Sequence, residues 1–203
     1  HAKDRRQRQM CIRDRLQTIK EMRNRLEAVN KEKTEPIAII GVGCRFPGNA
    51  NDPESFWHLL HEGIDAVGEV PPGRWDVDAY YDQNPDAPGK TYTKQGGYIQ
   101  DVDQFDPLFF GISPREAVSL DPQQRLLLEV TWEALENAGI APTLLRNSKT
   151  GVYVGICTDD YGQRGMSWEN LSLMDTHSGT GNARSMAVGR LSHLLGLQGP
   201  NIQ

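Results

Sequence analysis

Apolar residues near the N-terminus recur at helical spacing. Ile12, Leu16, Ile19, Met22, Leu26 and Val29 follow one another at steps of four and three, which gathers them on one side of a helix. The remaining faces are almost wholly charged or polar, so the stripe is narrow, as in a short coiled coil. A helix of this length is marginal alone, and pairing is predicted. The first dozen residues, HAKDRRQRQMCI, start on His rather than Met; they read as a truncated or non-native start with little organisation. Thr34-Glu35-Pro36 stops the helix, because proline lacks a donor and restricts the residue before it.

Beyond this stop the pattern changes. Ile37 to Val42 is a compact apolar run of the kind that makes a buried strand. Gly41 and Gly43 follow it and raise a dinucleotide-binding fingerprint, which fails: Phe46 stands at the third glycine position, and Pro47-Gly48 makes a turn where a helix should begin. A helix is predicted instead from Asp52, a good N-cap followed by Pro53, to Gly63. Residues 64–106 are rich in Pro, Gly and Asn and read as loop. Gly96-Gly97 between KTYTK and YIQDV suggests a hairpin turn. Trp75, Tyr80 and Tyr81 would pin the loop to the body.

Two capped helices are expected next, opening at Ser113-Pro114 and at Asp121-Pro122, the second closing at Gly139. The second is apolar around much of its circumference (Leu126, Leu127, Leu128, Val130, Trp132, Ala134, Leu135), as in a helix buried between layers. Thr150 to Ile156 reads as a second internal strand. A polar stretch follows, then a last helix from about Asn182 to Leu195. That helix region carries small residues (Gly181, Ala183, Ser185, Ala187, Gly189), which permit close backbone approach within a core, beside an active site or at a subunit interface. After Gly199-Pro200, Asn201-Ile202-Gln203 begins what could be a strand.

Composition narrows the class. With 203 residues, 37% hydrophobic and 24% charged, the chain is of the soluble globular kind. It has neither an apolar run of membrane-spanning length nor a signal-peptide pattern, and a cytoplasmic location is expected. Residues 1–33 carry 11 Lys/Arg against 5 Asp/Glu, and residues 34–203 carry 11 against 22. A basic arm on an acidic body would suit nucleic acid. The arm, however, has a regular apolar stripe and no aromatic residue to stack on a base, so no nucleic-acid partner is expected.

Candidate chemistry is sparse. Cys11, Cys44 and Cys157 lie far apart without metal-ligand spacing, which argues against structural zinc and a disulfide framework. His58 and His61 stand at i, i+3 with no evident third ligand and read as surface residues. Cys44, in a glycine turn, and Cys157, after a strand, could act as nucleophiles beside a base, but buried structural cysteine is the commoner outcome. Asp159-Asp160 could bind a cation or cap a turn. The residues on their own give an incomplete α/β domain with a dimerising arm.

Five blocks in order, EPIAIIGVGCRFPG, DPESFWHLLHEG, FDPLFFGISPREAVSLDPQQRLLLEVTWEALENAGI, GVYVGI and GRLSHLLGLQGP, resemble the start of a β-ketoacyl synthase domain of modular type I polyketide synthases. The likeness covers about Glu35 to the end. The basic helix before it resembles the N-terminal docking coiled coil of such subunits. The resemblance implies a docking helix over 1–33 and the N-terminal part of a ketosynthase over 34–203. The fold implied is thiolase-like, layered α/β/α/β/α, with an incomplete first half and a coiled-coil helix before it. It further implies a homodimer, carrier-protein partners bearing phosphopantetheine, an upstream synthase subunit as docking partner, and no metal or redox cofactor. The family's nucleophile would sit on the strand after the GLQGP turn and its two histidines further on. No catalytic, cofactor-binding or metal residue is therefore assigned within this chain, which alone is expected to be inactive. Residues Thr180 to Ser185 would approach the dimer axis and acyl pocket. The alternative is a non-catalytic docking or interaction module.

Overall fold

The computed structural model describes residues 2–165 and 176–203. The chain divides into two compact units, His1–Ile39 and Ile40–Gln203. The first is a single helix, α1 (Ala2–Thr34). Its start at Ala2 corrects the expectation of a disorganised first dozen residues, whose composition of Arg, Gln, Lys and Met favours helix. The side chains of Cys11 and Ile12 lie outside the described residues. Leu16, Ile19, Met22, Leu26 and Val29 are all exposed. Ion pairing along α1 is local, as in Arg23–Glu27 at 2.9 Å, and exposed pairs of this kind add only tenths of a kcal/mol.

In the second unit, α2 (Pro53–His61) starts where its caps dictate. Asp52 accepts from the Ser55 backbone N–H at 2.8 Å, and Ser55 Oγ accepts from the Asp52 N–H, which completes a capping box. Strand β1 (Val67–Glu69) follows, then a short helix α3 (Val77–Tyr80) and strand β2 (Gln95–Gly97). β1 and β2 pair antiparallel, Val67 opposite Gly97 and Glu69 opposite Gln95. This corrects the hairpin expected at Gly96-Gly97: the two glycines lie within a strand whose partner is far upstream. Their missing Cβ atoms serve close approach, since one at Gly97 would stand 2.9 Å from the Pro47 ring. Of the loop aromatics, Trp75 meets Tyr98 edge-on at 5.9 Å and Tyr81 lies under the Lys94 ammonium at 4.5 Å, while Tyr80 is exposed.

Helices α4 (Pro114–Ser119) and α5 (Pro122–Asn137) are capped by Ser113 and Asp121, each accepting a backbone N–H. A 3-10 turn, Pro142–Leu145, leads to β3 (Val152–Tyr153). Then come α6 (Asp160–Gly165), α7 (Thr176–Asn182), α8 (Arg184–Leu195) and β4 (Asn201–Ile202). The residues of α6 and α7 are mostly polar or small, with no apolar periodicity to announce either helix. β4 returns parallel to β3, Val152 opposite Asn201, after a helical crossover. The core gathers Ile112, Leu120, Leu128 and Leu191, flanked by Phe105, Phe110, Val152 and Leu194.

Two further expectations fail. The run Ile37–Val42 forms no strand, and Ile37, Ile39, Ile40 and Val42 are exposed. An extended segment becomes a strand only beside another that completes its ladder, and here the Val42 N–H instead donates to Asn137 Oδ1 at 3.1 Å. α5 buries only Gln124 and Leu128 completely, its other apolar residues being half-buried, so it lies between layers on one flank only. Close approach to α5 explains the glycine pair: a Cβ at Gly41 would stand 2.3 Å from Ala134 O, and one at Gly43 2.5 Å from Val130 O. The two glycines serve helix packing, in keeping with the failed dinucleotide fingerprint.

Candidate functional site

In parallel α/β sheets, functional groups collect beyond the C-terminal ends of the strands. In this chain that end belongs to β3 and β4. The segment leaving β3 brings Thr158 and Asp160 into the wall of a cavity of about 840 Å³. Its wall includes Arg74, Trp75, Gln123, Arg125, Thr158 and Tyr161.

Several wall residues are held by partners on other elements. Arg125, from the first turn of α5, donates through Nε to Leu120 O at 2.8 Å and through Nη2 to the Tyr161 hydroxyl at 3.4 Å. Tyr161 donates in turn to Val118 O at 2.7 Å, tying α6 to α4. Gln123 Nε2 donates to Thr158 O at 3.2 Å, and Arg74 donates to Ile99 O. Below the wall, the buried Gln124 clasps the α7–α8 junction by donating to Gly181 O at 3.0 Å and Ala183 O at 3.2 Å. A Cβ at Gly181 would fall 2.4 Å from Ser119 O, so this junction requires glycine. The small residues around α8 therefore divide: Gly181 and Ala187 belong to the core, while Ser185 is exposed and a Cβ at Gly189 would meet open space. α8 is joined to β4 through Ser192 Oγ and Asn201 Oδ1.

The residues singled out from sequence do not come together. Cys44 is buried in the 44–51 loop, its thiol directed at Ala50 O at 4.0 Å. Burial, chiefly, pushes that thiol above its ordinary value, which disfavours the thiolate. Cys157 is exposed. His58 and His61 lie exposed at the end of α2, His61 Nδ1 at 2.9 Å from Glu62 Oε1. Asp159 accepts from Gln163 Nε2 at 2.8 Å and its carbonyl from Gln163 N at 3.2 Å, so it caps α6. Among the described residues no group of three or more His, Cys, Asp or Glu could hold a metal ion, and no helix is long and apolar enough to cross a membrane. Gln124 and Arg125 had no sequence signal: the reading of this helix rested on its apolar residues, and the groups these two meet at Gly181, Ala183 and Tyr161 are distant in sequence.

Outside this cavity wall, one guanidinium is paired with one carboxylate and feels a second. Arg45 donates to both oxygens of Glu133 and to the carbonyls of Cys44 at 3.0 Å and Asn51 at 2.9 Å, fastening the 44–51 loop to α5. The hydrogen bond to Glu133 is the main cause that raises the Arg45 pKa. Glu129, one turn before Glu133, is partly desolvated, and burial raises its carboxyl above the usual range.

A family model described as "Beta-ketoacyl synthase, N-terminal domain" matches residues 34–203. A phenolphthiocerol/phthiocerol polyketide synthase subunit of Mycobacterium tuberculosis is 53% identical over 168 residues, which are 83% of this chain and 9% of that protein. Phenolphthiocerol synthesis polyketide synthase type I Pks15/1 of Mycobacterium bovis is 49% identical over 183 residues, 90% of this chain and 8% of that protein. Among solved structures, the oxazolomycin ketosynthase domain OzmH KS7 of Streptomyces albus superposes with a TM-score of 0.72 at 38% identity, covering 80% of this chain and 27% of that one. The ketosynthase from module 6 of the bacillaene synthase of Bacillus subtilis gives 0.66 at 35% identity, covering 81% and 25%. The chain thus spans less than a tenth of these two curated relatives and about a quarter of each solved domain.

Proposed function

This chain belongs to the β-ketoacyl synthase family, with the thiolase-like fold of its ketosynthase neighbours, and on that premise we propose that it is the opening part of a condensing domain in a modular polyketide synthase. The observation that carries the reading is the unbroken match over 34–203, at about half identity to polyketide synthase subunits. In the proposed reaction, a cysteine thiolate C-terminal to this chain attacks the thioester carbonyl of an acyl chain carried on phosphopantetheine, and the carrier thiol leaves. A malonyl-type extender then loses CO₂, with histidines stabilising the enolate oxygen. The electron pair left on its α-carbon attacks the enzyme-bound acyl carbonyl, a carbon–carbon bond forms, and the cysteine thiolate leaves.

This chain's share is the scaffold that aims the nucleophile strand. Gly199 lies so close to Thr150 that a Cβ would fall 2.2 Å from its carbonyl, and the Ser192–Asn201 contact sets β4 beside β3. The backbone after Ile202 is thereby directed toward the end of the sheet where Cys157–Asp160 emerge. The proposed partners are a second copy, carrier-protein domains, and an upstream synthase subunit bound through α1, all in the cytoplasm. The exposed stripe of α1 also fits a second reading, a docking module without catalysis.

Acyl loading separates the two. Incubating the synthase polypeptide that contains this chain with an acyl thioester, then mapping the adduct by mass spectrometry, should place it on a cysteine beyond Gln203. Cys157→Ser should leave loading unchanged. An adduct on Cys157 or Cys44 would refute the scaffold reading, and no adduct at all would favour the docking module.

A further inference from the structure

Between β1 and β2 the chain makes a long excursion with an acidic stretch at its centre. Residues 76–86 carry Asp76, Asp78, Asp82 and Asp86 and no Lys or Arg. The excursion bonds to itself. Thr91 N–H donates to Tyr80 O at 2.8 Å, Asp82 N–H to Thr91 O at 2.9 Å, and Val70 N–H to Lys94 O at 3.1 Å. Its backbone is satisfied locally at these points, so the surface it presents is set by the excursion itself.

On this surface Tyr80 is 55% exposed and Tyr92 68%. The bond from Thr91 to Tyr80 and the Tyr81–Thr91 bridge lay the two tyrosine-bearing segments side by side. Neither hydroxyl has a partner among the described residues. The nearby cations are already committed: Lys94 pairs with Asp78 and lies over the Tyr81 ring, and Lys90 Nζ donates to Ala79 O at 2.7 Å. Asp86, by contrast, is exposed and has no ion pair among the described residues. The turn is held in place as well, since Asp82 Oδ1 accepts from the Asn84 N–H at 2.8 Å and Asn84 Oδ1 from the Asp86 N–H at 3.1 Å. Two large aromatic side chains and unneutralised carboxylates are thus carried on an ordered frame, which lowers the entropy cost of binding.

We infer that the Tyr80–Tyr92 surface is a docking site for a proline-rich, polyproline II segment of a partner protein that carries a basic residue beside its prolines. A polyproline II segment has no internal hydrogen bonds, so its carbonyls need outside donors, and the two tyrosine hydroxyls supply them. The rings offer flat apolar faces to the prolines. Such a segment is extended before it binds, so little further chain entropy is lost. Charge complementarity selects the basic residue, which Asp82 and Asp86 meet. A neutral sugar also stacks on tyrosine but leaves these carboxylates without a counter-charge, and nucleic acid is repelled by them. The surface is independent of the proposed condensing role.

The test uses the full chain and a pair of fluorescent proline-rich peptides of about 12 residues, one with Arg at its N-terminal end and one with Arg at its C-terminal end. An Ala-for-Pro analogue, a Glu-for-Arg analogue and a neutral oligosaccharide are the competing probes. At least one Arg peptide should bind saturably at about 50 mM salt and weaken at about 500 mM. Its Ala-for-Pro analogue should bind about tenfold more weakly. Tyr80→Ser with Tyr92→Ser should weaken binding by about tenfold or more, and Asp86→Lys by about threefold. Tyr80→Phe with Tyr92→Phe keeps the rings and should lose about threefold; this pair serves if the serine pair does not fold. An unchanged circular dichroism spectrum will certify the variants. No saturable binding by either Arg peptide, equal binding of the Ala-for-Pro or Glu-for-Arg analogue, undiminished binding to the tyrosine variants, or tighter binding of the oligosaccharide would each overturn the inference.

Discussion

Glu129 is where single-residue chemistry makes a clear statement about stability. Its carboxyl is raised mainly by burial; Arg45 pulls it back and Glu133 pushes it further. A carboxyl with a folded pKa above its unfolded one holds its proton more firmly in the native state. Its contribution is therefore most favourable below the unfolded value near 4.5 and declines as pH rises through the folded value. Glu129→Gln keeps the shape and removes the buried charge. The variant should be more stable than the parent at neutral pH, and the gain should vanish in acid, where both side chains are neutral. Denaturant melts at the two pH values check this, and a gain that persists in acid would point to packing instead. The sequence could not announce the effect, because Arg45 comes near Glu129 only once the 44–51 loop is fastened to α5.

At the scale of elements, legibility followed local chemistry. α2, α4 and α5 begin where a side-chain cap precedes a proline, at Asp52, Ser113 and Asp121, and α8 ends at Gly196 in the left-handed region. Those signals reside within a few residues and need no tertiary partner. The strand expected at Ile37–Val42 and the hairpin at Gly96-Gly97 failed because ladders depend on distant neighbours. The cavity wall was illegible for the same reason: the Arg125–Tyr161–Val118 chain joins three elements. The stripe on α1 is legible from its spacing alone, and it makes a prediction at this scale. A peptide of residues 12–34 should gain helix content by circular dichroism as its concentration rises about a hundredfold, since pairing supplies what an isolated helix of this length lacks. Replacing Leu16 and Leu26 by Ser should abolish the gain. Helicity independent of concentration would remove the paired arm from the proposal.

For the whole molecule, burial and exposure decide the expected behaviour. The fully buried large side chains among the described residues are Leu120 and Leu128, while Ile37 is 95% exposed and Ile39 85%. Unpaired strand-forming sequence with exposed isoleucines is a template for association. The parallel pair β3–β4 is likewise only two residues long in each strand, too little sheet to cover the helices that lie on it. The isolated chain should therefore bind a hydrophobic dye, self-associate, and melt broadly, without condensing activity. If the chain opens a condensing domain as proposed, a longer polypeptide carrying the rest of that domain should supply neighbours for both exposed edges, suppress dye binding and sharpen the transition. Calorimetry on the two lengths checks the claim. A sharp, reversible melt of a soluble monomer from the 203-residue chain would mean that the helices around Leu120, Leu128 and Leu191 stabilise the fold without further strands, and the exposed isoleucines would then be free for a different partner.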